Sequence, residues 1–138
     1  MERSPAVRDG LLAFYARFSA HNPAGFADGI STGPGVSVIG SGPGEGHGSR
    51  DAWVATYAEL IPQLAIRLEA GTDPRGWEEG SMGFAVDEPR FVMPGGAFLA
   101  TRLTGVLRLE EGAWRVVHLH FSVGVPDEDH VQPAAAEE

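Results

Sequence analysis

The fold is decided by residues 97–125, AFLATRLTGVLRLEEGAWRVVHLHFSVGV. Apolar and polar side chains alternate along both halves of this stretch, which is the period-two pattern of β-strands. Glu110-Glu111-Gly112 separates the halves, and glycine at the third position suits a three-residue hairpin loop. We therefore predict strands over 97–109 and 113–125, with Leu109 opposite Ala113.

This register assigns every side chain of the hairpin to a face. The odd-numbered residues are mostly apolar and include Leu103, Leu119 and Phe121, so we expect helices to cover them and remove them from water. The even-numbered residues form a mixed polar face, and a one-residue shift would exchange the two faces.

The polar face is predicted to form a homodimer. Tryptophan and arginine are enriched at protein interfaces, which favours contact with a second copy over exposure to water. The residues expected in this interface are Arg102, Thr104, Trp114, His118, His120 and Ser122.

The strand before the hairpin carries a candidate catalytic residue. If Gly95-Gly96 forms a two-residue turn, Phe84 pairs with Leu107, and Met82, Phe84 and Val86 join the inner face. Glu78 then also points inward, where burial raises the pKa of a carboxyl group toward the range of a general base. The alternative is that Glu78 forms a salt bridge with Arg115.

The first half of the chain has helical periodicity. Ser4-Pro5 is typical of an N-cap followed by the first helical position, and Pro62 is expected to kink or shorten the helix that Ser49 caps. Helices followed by a run of strands indicate an α+β fold with helices on one face of an antiparallel sheet. The remaining predicted elements are helices over 5–20 and 23–28 and strands over 36–39, 66–70 and 77–87.

Composition excludes several function classes. The chain has neither cysteine nor lysine, so thiol, disulfide and Schiff-base chemistry are excluded. A net charge of -9 opposes nucleic-acid binding, and the lack of a long apolar run predicts a cytoplasmic protein without a membrane segment. Residues 127–138 are acidic and alanine-rich, so we predict a domain over 1–126 followed by a disordered tail.

Two short motifs have more than one interpretation. His118 and His120 lie two residues apart, as in some metal sites, but no third ligand is apparent, so we expect no metal and favour packing at the interface; proton transfer is the other alternative. Residues 33–48 are rich in glycine but lack the spacing of a phosphate loop, which favours a flexible loop at a cavity rim.

Residues 112–122, GAWRVVHLHFS, resemble the closing strand of SnoaL-like domains and of the calcium/calmodulin-dependent kinase association domain, both in the nuclear transport factor 2 (NTF2)-like superfamily. Residues 38–45, 79–84 and 102–106 resemble further SnoaL-like segments in the same order. The resemblance implies a cone in which N-terminal helices pack on a curved antiparallel sheet, usually in a homodimer.

The resemblance also implies a cavity for a small hydrophobic molecule. Relatives include ketosteroid isomerases and polyketide cyclases, which transfer protons without a metal or nucleotide cofactor, but their catalytic acids have no counterpart here. The alternative is a non-catalytic association or sensor module. The aromatic side chains on the helices either pack the core or line the cavity. The cavity residues expected are Tyr15, Phe18, Trp53, Tyr57, Phe84, Leu103, Leu119 and Phe121.

Overall fold

Helices packed on a curved antiparallel sheet form an α+β fold, as predicted. The computed structural model describes residues 1–135, with the side chains of residues 61 and 62 excepted. The helices are α1 (Pro5–Ser19), α2 (Pro23–Asp28), α3 (Arg50–Leu64) and α4 (Asp127–His130). The strands are β1 (Glu2–Arg3), β2 (Ser37–Ile39), β3 (Gly46–His47), β4 (Arg67–Glu69), β5 (Arg75–Glu79), β6 (Met82–Asp87), β7 (Arg90–Val92), β8 (Phe98–Ala100), β9 (Arg102–Glu110) and β10 (Ala113–Ser122).

The helix starts follow the predicted capping residues. Ser4 Oγ accepts a hydrogen bond from Val7 N at 3.0 Å at the start of α1, and Ser49 Oγ accepts one from Ala52 N at 3.2 Å at the start of α3. Such side-chain oxygens satisfy amides that have no partner within the helix. α3 continues to Leu64, so proline at position 62 does not end it there.

The main sheet has seven strands in the order β1-β5-β6-β9-β10-β2-β3. Neighbouring strands are antiparallel except β2 and β10, which are parallel. A second sheet has the order β4-β7-β8. α1 packs across β5, β6, β9 and β10, so the core lies between this helix and one face of the main sheet.

The predicted three-residue loop is wrong. Glu111 and Gly112 form a two-residue turn with φ of +52° and +80°, and Glu110 pairs with Ala113. Turns with two positive φ angles match the right-handed twist of the flanking strands. The pairing then shifts by one residue at a β-bulge between Val116 and His118, which restores the predicted faces for the rest of β10.

The bulge leaves the start of β10 with the opposite orientation to the prediction. Trp114 lies toward α1, since a Cβ atom at Gly10 would be 2.8 Å from the Trp114 Cβ. Arg115 pairs with Arg108 on the outer face. Trp114 was therefore assigned to the wrong face, because the bulge is invisible in the alternation of residue types.

The predicted position of Phe84 is also wrong. Phe84 pairs with Val106 on the outer face and stacks on Trp77, with ring centroids 4.6 Å apart, while Gly83 and Ala85 face α1. The Gly95-Gly96 turn joins β7 to β8 rather than β6 to β9, so it does not set the register of β6. Met82 and Val86, which alternate with Phe84, lie on the outer face too.

Asp127–His130 form one helical turn, α4, whose residues are exposed. Residues 136–138 lie outside the described residues, so the disordered tail over 127–138 stays a prediction. None of the helices in residues 1–135 is both long and apolar enough to cross a membrane.

Candidate functional site

A cavity of about 410 Å³ lies between the helices and the inner face of the sheet and opens to solvent. α1 and α3 supply one side, β7 and β10 the other, and the loop from β2 to β3 lies at the rim. The flexibility expected of this glycine-rich loop stays a prediction. Its aromatic lining residues are Phe14, Phe18, Trp53, Tyr57, Phe91 and Phe121.

The aromatic residues hold one another in place. Phe91 contacts both Phe121 and Phe18, with ring centroids 5.1 Å and 5.9 Å apart. Tyr57 stacks on Phe26 at 3.9 Å with the rings 10° from parallel. Each such pair adds about 0.5–1.5 kcal/mol beyond the area that it buries, so these contacts stabilise the arrangement of the cavity wall.

Tyr57 shows how a polar group in this wall is satisfied. Its hydroxyl donates a hydrogen bond to the Phe18 carbonyl oxygen at 2.6 Å. Burial raises the pKa of the Tyr57 hydroxyl above its ordinary value. The hydroxyl therefore stays protonated at neutral pH and is engaged by the backbone.

The rim carries the polar groups of the cavity. Glu45 folds back over its own loop, where its carboxylate accepts a hydrogen bond from Gly42 N at 3.2 Å. His47 on β3 is partly buried and lines the cavity, as does Thr56 on α3. The His47 imidazole makes no hydrogen bond to any other described residue, unlike the imidazoles of His21 and His118.

The structure places four of the predicted cavity residues, Phe18, Trp53, Tyr57 and Phe121, in the cavity wall, and their contact with a ligand stays a prediction. The other four lie elsewhere. Tyr15, Leu103 and Leu119 are buried in the core, and Phe84 is on the outer face.

Sequence reasoning missed several cavity residues. Phe91 lies in β7, a three-residue strand too short to produce a clear alternation. His47 was included in the glycine-rich loop. The available signal was its place two residues before the Ser49 cap, which puts it near the start of α3. Phe14 belongs to the predicted α1 stripe and shows that one side chain can serve both core and cavity.

Glu78 lies on the inner face, but at the start of α1. Its carboxylate accepts a hydrogen bond from Ser4 Oγ at 2.6 Å, a position in which the helix dipole stabilises negative charge. It is not among the residues lining the cavity. The alternative salt bridge with Arg115 is wrong, because the Arg115 guanidinium lies 3.8 Å from Glu110 on the opposite face.

The remaining predicted interface residues lie on the outer face of the sheet. Arg102 Nε donates to Ser122 Oγ at 3.3 Å, and Thr104 pairs with His120. Nδ1 of His118 lies 2.7 Å from the Ser37 hydroxyl oxygen. Their role in a dimer stays a prediction. Within residues 1–135, no three His, Asp or Glu side chains are grouped closely enough to hold a metal ion.

Solved structures share this fold. A candidate dehydratase of the NTF2-like family from Streptomyces avermitilis has a TM-score of 0.74 and 18% identity, over 88% of this chain and 95% of that chain. A protein with a cystatin-like fold from Caulobacter vibrioides has a TM-score of 0.69 and 21% identity, over 91% and 92%. A candidate calcium/calmodulin-dependent protein kinase II association domain from Xanthomonas campestris has a TM-score of 0.66 and 14% identity, over 83% and 82%.

Such identities establish likeness of fold and leave the chemistry open. Among curated proteins, none matches the chain. The sequence model of the SnoaL-like domain matches residues 7–126, which span both the helices and the sheet that form the cavity. The chain therefore belongs to the SnoaL-like domain family.

Proposed function

We propose that this protein binds a small hydrophobic molecule in the cavity between α1, α3 and the sheet. The observation that carries the proposal is a preformed cavity of about 410 Å³ with a predominantly apolar wall, rich in aromatic side chains, and an opening to solvent. Cavities of about 300–1,000 Å³ that are mostly apolar, with a few polar groups, are typical of small-molecule sites.

The wall favours an apolar ligand for a simple energetic reason. Each 100 Å² of apolar surface removed from water contributes about 2.5 kcal/mol. The aromatic side chains of the wall already pack against one another without a ligand, so binding does not have to order these side chains first. An aromatic or polycyclic molecule therefore matches the volume and the chemistry of the cavity.

Obstructing the mouth of the cavity is expected to weaken binding. Thr56 is a partly exposed α3 residue at the cavity mouth, so Thr56→Trp places an indole in the opening without removing a core side chain. We expect the neutral fluorescent probe N-phenyl-1-naphthylamine to bind the native protein and to bind Thr56→Trp at least about tenfold more weakly, since loss of about 1.4 kcal/mol is tenfold.

The matched control is Ala55→Trp, which adds the same side chain on an exposed neighbouring position outside the cavity. It should bind the probe like the native protein. Equal binding by the two variants, or absence of any binding by the native protein, would contradict the proposed function.

The chemistry that the cavity favours is proton transfer. Its titratable lining residues are Glu45, His47 and Tyr57, and the tyrosine hydroxyl is already engaged by the backbone. A single acid or base beside a desolvated substrate is sufficient for isomerisation or cyclisation of a ketosteroid- or polyketide-like molecule. We propose this reaction class for the cavity, and the candidate dehydratase among the similar structures supports it.

Association through the outer face is the second candidate function. Met82, Phe84, Val86 and Val106 form a partly exposed apolar strip in the middle of this face. The structural likeness to kinase association domains from two bacteria favours the same function. We propose that the strip lies against the strip of a second copy, around a two-fold axis.

Val106→Arg is expected to separate this dimer. The added charge would lie beside Arg108 and face its own counterpart across the axis, so we expect the dissociation constant to rise about 100-fold. Light scattering coupled to size-exclusion chromatography measures the change in mass. Ala58→Arg, which adds the same charge on the exposed side of α3, should leave the mass of the dimer unchanged; a native monomer would exclude this association.

A further inference from the structure

We infer that His47 recognises a neutral oxygen, a hydroxyl or a carbonyl, on the otherwise hydrophobic ligand of the cavity. The inference rests on the proposed function and extends it from an apolar molecule to one with a polar end. It follows from the position of the imidazole, from its lack of a hydrogen-bond partner, and from the charges around it.

The strand register directs His47 into the cavity. His47 on β3 pairs with Val38 on β2, and Val38 pairs with Leu119 on β10. Side chains of directly paired residues lie on the same side of a sheet. Val38 and Leu119 are buried on the side that faces the helices, so the imidazole points to that side, where it lines the cavity together with Val38.

His47 differs from the other partly buried histidines in lacking a partner. His21 Nε2 lies 2.6 Å from the Ile66 carbonyl oxygen, and His118 Nδ1 lies 2.7 Å from the Ser37 hydroxyl. No described residue offers His47 an equivalent contact. The imidazole is partly exposed at the open cavity, so its nitrogens remain free to form a hydrogen bond with a ligand oxygen, which would contribute about 0.5–1.5 kcal/mol.

The charge at the rim selects against an anionic ligand. Glu45 lies on the same rim as His47, and no arginine is among the described residues that line the cavity. A carboxylate on the ligand would meet like charge without a compensating cation. Imidazole nitrogens can donate to a carbonyl or accept from a hydroxyl, and these are the neutral groups that remain.

A series of probes with one ring system tests the inference. Naphthalene, 2-naphthol and 2-naphthoate share the apolar part and differ in the polar group, and their binding is measured by titration at about pH 8, above the usual range of imidazole protonation. We expect 2-naphthol to bind about fivefold to tenfold more tightly than naphthalene, and 2-naphthoate to bind more weakly than 2-naphthol.

His47→Phe separates recognition of the oxygen from binding of the ring. The variant places an apolar ring at the rim, so naphthalene should bind at least as tightly as to the native protein while the advantage of 2-naphthol disappears. His130→Phe, at an exposed position outside the cavity, is the control and should retain the advantage. Glu45→Gln should strengthen 2-naphthoate binding several-fold.

The outcomes distinguish this inference from the function on which it rests. If naphthalene and 2-naphthol bind the native protein equally, or if the advantage survives in His47→Phe, the role of His47 is refuted while ligand binding stands. If none of the three probes binds, ligand binding and the role of His47 are both refuted. Near-ultraviolet circular dichroism of each variant shows that the fold is retained.

Discussion

Replacing Gly83 by alanine is expected to lower the free energy of unfolding by about 2–3 kcal/mol, although it adds a single methyl group. A Cβ atom at this position would lie 2.6 Å from Val7 Cγ2 and 2.8 Å from the Trp77 carbonyl oxygen. The first contact is with α1 and the second with the backbone of β5, so neither neighbour can move away without shifting an element. Urea unfolding followed by circular dichroism measures the loss.

The control is Gly48→Ala, because a Cβ at Gly48 has no atom within 4 Å and this residue does not require a positive φ. Its stability should stay within about 0.5 kcal/mol of the native value. Shortening Val7 to alanine tests the cause. In the Val7→Ala background, Gly83→Ala should lower the free energy of unfolding by less than it does in the native chain. Equal costs in both backgrounds would show that contact with α1 is not responsible.

The close approach at Gly83 also explains which parts of the fold the sequence could predict. The helices were predictable because capping residues and apolar stripes are local signals, and α1 and α2 lie within one residue of their predicted ends. The faces of β9 were predictable because its alternation is strong. The register of β6 depends on Gly83 and Ala85, which fit beneath α1, and such small residues carry no hydrophobic signal.

The hairpin shows why even a strong alternation can mislead. A two-residue turn plus a later bulge gives nearly the same faces as a three-residue loop without one, except before the bulge. Trp114 lies in that short interval, so it alone among the predicted interface residues was placed on the wrong face. Bulges follow from three-dimensional twist, and residue order alone does not reveal them.

The cavity was predictable as a consequence of the fold but not in its details. Phe18, Trp53 and Tyr57 were identified because helical periodicity places them toward the sheet, and Phe121 because of the alternation along β10. Phe91 comes from a second sheet that the period-two pattern did not separate from its neighbours. His47 reaches the cavity because parallel pairing of β2 with β10 brings β3 alongside, a contact between residues far apart in sequence.

Alkaline pH is expected to destabilise the protein through its two tyrosines. The chain contains no lysine or cysteine, so tyrosine hydroxyls are the side chains that ordinarily lose protons between about pH 9 and 11. Burial raises the pKa of Tyr15, and the charge of Asp87 and the hydrogen bond to its carboxylate, 2.9 Å long, raise it further. The pKa of Tyr57 is raised by burial as well.

The sign of the effect follows from the two states. Well below about pH 10 both hydroxyls are protonated in the folded and the unfolded chain, so they do not lower the free energy of unfolding. Above it, the unfolded chain releases protons that folded Tyr15 retains, and the free energy of unfolding falls by about 1.4 kcal/mol per pH unit for this group. Urea unfolding at about pH 8, 10 and 11 measures the slope.

Two variants identify the source. Tyr15→Phe should lower the free energy of unfolding by about 1.5–3 kcal/mol at about pH 8, since the tyrosine hydroxyl that it removes donates to a buried carboxylate. The free energy of unfolding of this variant should also fall less steeply with pH in the alkaline range. Tyr57→Phe removes a hydroxyl that donates to a neutral carbonyl oxygen, so it should lower the free energy of unfolding by only about 0.5–1.5 kcal/mol. Equal losses in the two variants, or an undiminished alkaline slope in Tyr15→Phe, would contradict a stabilising contact between Tyr15 and Asp87, because this contact predicts both the larger loss and the steeper slope.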